Sequence, residues 1–238
     1  MNAIEKSYSF VFKNVLKAVN PLKKKVKKTE CEVHQFINIQ SLHILRNDGF
    51  CEEYAYLSSY INKINEGSIW ADQDFKSSNH FYNPFNGKGL YGNSNAMREC
   101  NLYYTKALSF YLEGDIEKSM FYLGAVNHLI QDVTVPQHVN IKLLDNHRKY
   151  ELWVIEEYKR HNEFKSYNKG VYLRSVKDFI EYNSKSAITV YNSNDLQEDY
   201  SEKFYNITLI QLPLAQKTTA GVMKKFYDDI TKIKRDLN

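Results

Sequence analysis

With 238 residues, 43% of them apolar and 25% charged, the chain has the make-up of a globular protein long enough for a single core. Its nine Gly and four Pro are too few for a loop-rich β sandwich and favour helices. The net charge of +4 is unevenly placed: residues 1–30 hold eight Lys against two Glu, leaving 24 basic and 26 acidic side chains elsewhere, so the body is close to neutral, which weakens a nucleic-acid reading.

Residues 4–19 set Ile4, Phe10, Val11, Val15, Leu16 and Val19 among lysines, the pattern of a basic amphipathic helix. Asn20-Pro21 is expected to end it, and the lysine run at 23–28 reads as a linker. Residues 1–30 are thus a leader and 31–238 the folded domain. Such a leader either packs on the body as a helix with a solvated tether, or draws residues 1–28 to an anionic membrane surface. It has neither an uninterrupted apolar stretch nor a small-residue cleavage site, so it does not read as a secretion signal. No segment approaches the 18 apolar residues of a membrane span. The expectation is a cytoplasmic protein, or one peripheral at the inner membrane surface. Three cysteines (31, 51 and 100) have no disulfide-framework spacing.

From residue 31 onward the apolar periodicity is close to 3.6. It predicts helices near 32–46, 50–65, 94–113, 115–131, 144–162, 171–190 and 198–235, the last broken around Pro213. The fold class is therefore all-α, a single compact multi-helix domain. Residues 66–93 differ: Gly67, Gly87, Gly89, Gly92 and Pro84 mark a long irregular loop. Loops of that length in compact domains are commonly functional, and this one carries Trp70-Ala71-Asp72 and His80-Phe81-Tyr82.

The strongest signal is His128-Leu129-Ile130-Gln131-Asp132-Val133-Thr134-Val135-Pro136-Gln137-His138, followed by His147 and Glu151: five candidate metal ligands within 24 residues. His128 and Asp132 are four apart, as are His147 and Glu151, so on a helix each pair shares a face. Pro136 stops the first helix and lets His138 address a neighbouring point. Neutral imidazole with carboxylate is the set that zinc takes in hydrolytic sites.

These residues resemble the signature of the zinc-dependent phospholipases C, His-x3-Asp-x5-His with Pro two before the last His, then His-x3-Glu. His80-Phe81-Tyr82-Asn83-Pro84 is similar to the family's His-Phe-Tyr-Asp-Pro segment, and Ile69-Trp70-Ala71-Asp72 to the segment carrying its active-site aspartate. Phe121-Tyr122-Leu123-Gly124, Thr218-Thr219-Ala220-Gly221 and Val33-His34-Gln35-Phe36-Ile37 extend the likeness over roughly residues 31–230. The resemblance implies three zinc ions, two at the least. His80, His128 and Asp132 would hold one, and His138, His147 and Glu151 a second. His34 would bind the third, with Asp132 bridging, and Asp72 would orient or deprotonate the attacking water. His43 and His161 match nothing and read as surface residues.

In the family an N-terminal Trp completes the third zinc site, whereas the tryptophans here are Trp70 and Trp153. Removal of the leader, thiolate ligation by Cys31, or a labile third site would each answer this difference. The segment between Asp72 and His80 is also shorter than is usual in the family. Trp70 and Phe75 are expected to line the altered headgroup pocket.

The implied activity is a phospholipase C that cleaves a glycerophospholipid to diacylglycerol and a phosphorylated headgroup. The alternatives are a phosphoesterase acting on a nucleotide, single-stranded nucleic acid or small soluble substrate, and a non-catalytic zinc-stabilised helical module. Retention of Asp72 beside the ligands disfavours the last, because a structural zinc closes its own coordination sphere.

Overall fold

Segments with helical apolar spacing fold as such. The computed structural model describes residues 20–73, 78–90, 94–141, 146–194 and 197–237, with side chains described from residue 31. Within them lie nine α-helices and no strand: α1 Asn20–Asn47, α2 Cys51–Ser59, α3 Ile61–Ala71, α4 Ala96–Leu112, α5 Ile116–Asp132, α6 Pro136–Asn140, α7 His147–Glu157, α8 Val176–Ser193 and α9 Tyr200–Leu237. The amphipathic stretch at 4–19 lies outside the described residues.

The elements differ from expectation in four places, each for a local reason. The lysine run at 23–28 is part of α1 and not a linker. Pro21 is tolerated near the described start of α1, because a proline in a first helical turn lacks only an N–H that has no intrahelical partner there. The helix expected over 50–65 is two, broken at Tyr60, whose φ of −112° and ψ of 12° leave the helical region. Its second part, α3, runs on to Ala71, so the irregular segment starts at Asp72 rather than residue 66. Finally, α9 passes through Pro213 unbroken. The carbonyl that Pro213 leaves without a donor belongs to Leu209, a residue on the exposed side of α9.

Gly67 is a helix-crossing residue, not a loop residue. A Cβ on Gly67 would stand 1.7 Å from the carbonyl oxygen of Phe121, and one on Gly124 would stand 1.9 Å from that of Ile64. These two glycines let the backbones of α3 and α5 touch, and the Ser68 hydroxyl seals the crossing by donating to the Gly124 carbonyl at 2.9 Å. From Leu123 to Asp132 every residue of α5 is buried. Its apolar side, with Val126, Leu129 and Ile130, joins the main core shared with α4, α8 and α9. A second cluster around Tyr150, Tyr158, Phe164 and Phe204 binds α7 to α9 and to Ile37 of α1. Among the described residues no helix is long and apolar enough to cross a membrane.

Gly124→Ala is expected to lower stability by roughly 1–3 kcal/mol, the range for an overpacked core. Chemical denaturation measures it, and an unchanged midpoint would mean that the crossing relaxes without strain.

Candidate metal centre

Five helices and one irregular segment deliver the site. α5 ends at Asp132, and a short turn stabilised by the Thr134 hydroxyl donating to the Gln131 carbonyl at 2.7 Å leads to Pro136 at the start of α6. This reversal brings His138 back over the end of α5. Ile141 leaves α6 in the left-handed region, with φ of 56°. α7 then opens on His147, which places Glu151 one turn along the same face. α1 supplies His34, and Asp72 caps the C-terminus of α3. His80 comes from the irregular segment, which is pinned where the Tyr82 N–H donates to the His138 carbonyl at 3.1 Å. The Phe81 ring stacks on the imidazole of His138, with centroids 4.9 Å apart.

Asp132 is the meeting point. Its Oδ2 lies 2.6 Å from His80 Nδ1, 3.1 Å from His128 Nε2 and 3.5 Å from His138 Nδ1. Its Oδ1 lies 3.5 Å from His34 Nε2. Beside it, His138 Nε2 faces His147 Nε2 at 2.8 Å, and Glu151 Oε1 is 2.7 Å from His147 Nε2. Three sets of ligand atoms lie within 4.8 Å of one another: His34, His128 and Asp132; Asp72, His80 and His128; His138, His147 and Glu151. His80, His128, Asp132 and His138 are buried, while Glu151 keeps 30% of its side chain exposed, so the site opens on the α7 side.

The electrostatics follow from this crowding. Burial alone would raise the Asp132 carboxyl, but the imidazoles of His128 and His138 and hydrogen bonds from His128 and His80 hold it well below the usual carboxylate range. Glu151 likewise falls to about 2: burial opposes ionisation, and the hydrogen bonds from His138 and His147 outweigh it. Burial, helped by the charge of His128, brings His34 down to about 4, and burial lowers His80 as well. His138 moves the other way, because Asp132 and Glu151 overcome the effect of its burial.

This donor set fits zinc. Five of the seven histidines and three carboxylates converge, and ring nitrogens face one another across distances that a shared cation relieves. Ligands roughly 2.0–2.1 Å from one tetrahedral zinc stand about 3.3 Å apart, within the spread of separations present here.

Not every expected residue joins them. Cys31 is buried with Sγ 3.9 Å from Asp72 Oδ2, and it lies outside the three ligand sets. The Trp70 ring packs among Tyr103, Phe121 and Tyr122, at 5.3–5.9 Å. Phe75 lies outside the described residues. His43 is exposed, and His161 pairs with Glu157 and Glu163 beside Phe164, as surface residues do. Sequence reasoning missed Gln131, whose Oε1 accepts from His34 Nδ1 at 2.7 Å. What marks it is burial on the last turn of α5, which packing sets and the sequence alone does not show.

Comparison with known proteins agrees with this geometry. The family described as zinc dependent phospholipase C matches residues 33–205, a span that takes in every ligand but leaves out Cys31. Among solved structures the chain is similar to the alpha toxin of Clostridium absonum, with a TM-score of 0.74 and 20% identity, over 84% of this chain and 64% of that one. It is similar also to the alpha-toxin of an avian strain of Clostridium perfringens, with a TM-score of 0.72 and 19% identity, over the same 84% and 64%. At such identity the likeness establishes the fold, and the chain spans less than two thirds of either toxin's length. No curated protein matches the sequence.

The depressed pKa of His34 has a thermodynamic consequence. The folded metal-free chain releases this proton near 4 and the unfolded chain near 6.5, so the unfolded state binds more protons between those values. Stability of the metal-free chain should therefore fall as pH drops from 6.5 towards 4, and His34→Gln should fall less steeply over that window. Urea titrations of both chains across this range measure it; parallel curves would contradict the burial of a neutral imidazole.

Proposed function

The chain belongs to the zinc dependent phospholipase C family, and on that premise we propose that it hydrolyses a phospholipid at the glycerol side of its phosphodiester, releasing diacylglycerol and a phosphorylated headgroup. The observation that carries this reading is the convergence of eight ligand-bearing side chains on one partly open point, with Asp72 among them.

In this proposal His80, His128 and Asp132 would hold one zinc, and His138, His147 and Glu151 a second. His34 with Asp132 would hold a third. Zinc bound there would supply charge for the phosphate oxygens, a more acidic water and support for the departing alkoxide. The protein does the rest. Asp132 stays ionised inside the cluster, so several imidazoles are oriented by one fixed charge. Phe81 covers one flank of His138 and keeps that ring in place. Asp72, on the rigid end of α3, orients or deprotonates the attacking water.

A lipid substrate also gives a role to Phe85, which is 78% exposed. Its turn is braced: the Asn83 side chain accepts from the Phe85 N–H at 3.0 Å, and the Gly87 N–H donates to the Asn83 carbonyl at 2.9 Å. The segment leaves the site at Tyr82, so chain reach holds Phe85 within about 11 Å of the residue bonded to His138. We assign Phe85 to contact with the apolar layer beneath lipid headgroups, with the leader lysines of residues 1–28 contributing attraction to anionic lipid.

Two experiments test the reading. Asp72→Asn should retain its zinc and lose about 10²–10⁴-fold in turnover of short-chain phosphatidylcholine. Unchanged turnover would remove Asp72 from the mechanism, and cleavage of single-stranded nucleic acid or a nucleotide instead would replace the substrate class. Phe85→Ser should bind phosphatidylcholine vesicles about tenfold more weakly in sedimentation, as expected for one aromatic side chain withdrawn from an apolar layer. Equal sedimentation would free Phe85 of that role.

A further inference from the structure

A continuous hydrogen-bond relay runs from the α3–α5 crossing to His34, and its polarity is fixed at one end. The Ser68 hydroxyl has a single proton. It lies 2.9 Å from the Gly124 carbonyl and 3.2 Å from the Ile64 carbonyl, and both of these groups can only accept. Ser68 must therefore offer a lone pair to Asn38, whose Nδ2 donates to it at 3.0 Å and to Asn65 Oδ1 at 3.0 Å. That orientation turns Asn38 Oδ1 the other way, where it accepts from Asn127 Nδ2 at 3.1 Å and Gln131 Nε2 at 3.0 Å. The second proton of Gln131 Nε2 goes to Thr219 Oγ1 at 3.2 Å. Gln131 Oε1 is left facing His34 Nδ1 at 2.7 Å. A carbonyl oxygen cannot donate, so Nδ1 carries the proton and the lone pair of His34 sits on Nε2.

That lone pair points at a carboxylate oxygen, Asp132 Oδ1, 3.5 Å away. Two electron-rich atoms facing each other in a buried site is a favourable arrangement only with a cation between them. Asn38, Ser68, Asn127, Gln131 and Thr219 are all essentially fully buried, so no water reorients the chain of donors.

We propose that Gln131 and Asn38 are positioning residues that lock His34 in the tautomer offering Nε2 to a zinc ion shared with Asp132. The relay makes the readiness of this site a consequence of the helix crossing itself. The inference rests on the assignment of His34 and Asp132 as ligands, not on the identity of the substrate.

The direct test is the nitrogen-15 spectrum of the metal-free protein, in which His34 should be protonated at Nδ1; protonation at Nε2 would overturn the relay. In equilibrium dialysis with zinc alone, Gln131→Leu should weaken one zinc equivalent by about 10–100-fold, the usual cost of losing the group that orients a ligating histidine, and spare the others. Gln131→Glu, which keeps an acceptor towards Nδ1 and, once protonated on the oxygen facing Asn38 Oδ1, a donor as well, should restore that equivalent. Equal weakening by Leu and Glu would mean that Gln131 matters only for packing and would defeat the proposal. Where Gln131→Leu does not fold, the spectrum of the unaltered protein decides alone. None of these readouts involves lipid hydrolysis, so a failed phospholipase assay with the expected tautomer would refute the substrate reading and leave this one standing.

Discussion

A buried negative charge at Asp132 organises this molecule. An ionised carboxylate enclosed by protein is costly unless opposite charge or hydrogen-bond donors surround it. Four histidines, from α1, the segment after α3, α5 and α6, turn ring nitrogens towards its two oxygens. That requirement adds to the buried hydrogen bonds that already join α1 to α5, and it gives the segment around His80 a reason to lie against the end of α5. The Tyr82–His138 backbone bond and the Phe81–His138 stack hold the stretch where His80 is needed.

The helix crossing beneath the site serves the same end. Gly67 and Gly124 let α3 and α5 approach backbone to backbone, so Asp72 at the end of one helix and His128 and Asp132 at the end of the other come to a common point. Ser68 links that contact to the relay through Asn38 and Gln131. Packing and chemistry are thus coupled through polar groups placed inside the protein and satisfied there. The apolar residues of α5 face away, into the core shared with α4, α8 and α9.

The ligand pairs were legible because their geometry is local. His128 with Asp132 and His147 with Glu151 are each one helical turn apart, and Pro136 dictates a reversal before His138 wherever the helix sits. The more distant partners became legible through the resemblance at His34, Asp72 and His80, a match of short segments and not a deduction from spacing. The aromatic surroundings of Trp70 mark the limit: Tyr103 comes from α4 and Phe121 and Tyr122 from α5, and no spacing in the chain announces them.

Composition and periodicity by themselves determined a helical chain, and the motifs determined a zinc-type ligand set. Those properties depend on residue type and on spacings of one or two turns, which the chain carries wherever it folds. Only the tertiary structure decided that Gly67 belongs to a helix contact, that Pro213 lies inside an unbroken helix, that Cys31 sits against Asp72 at the edge of the ligand sets, and that Gln131 lies against His34. Apart from Pro213, each of these depends on what another segment, tens of residues away, places opposite the residue. Such a partner is set by the packing of whole helices, which no local pattern contains.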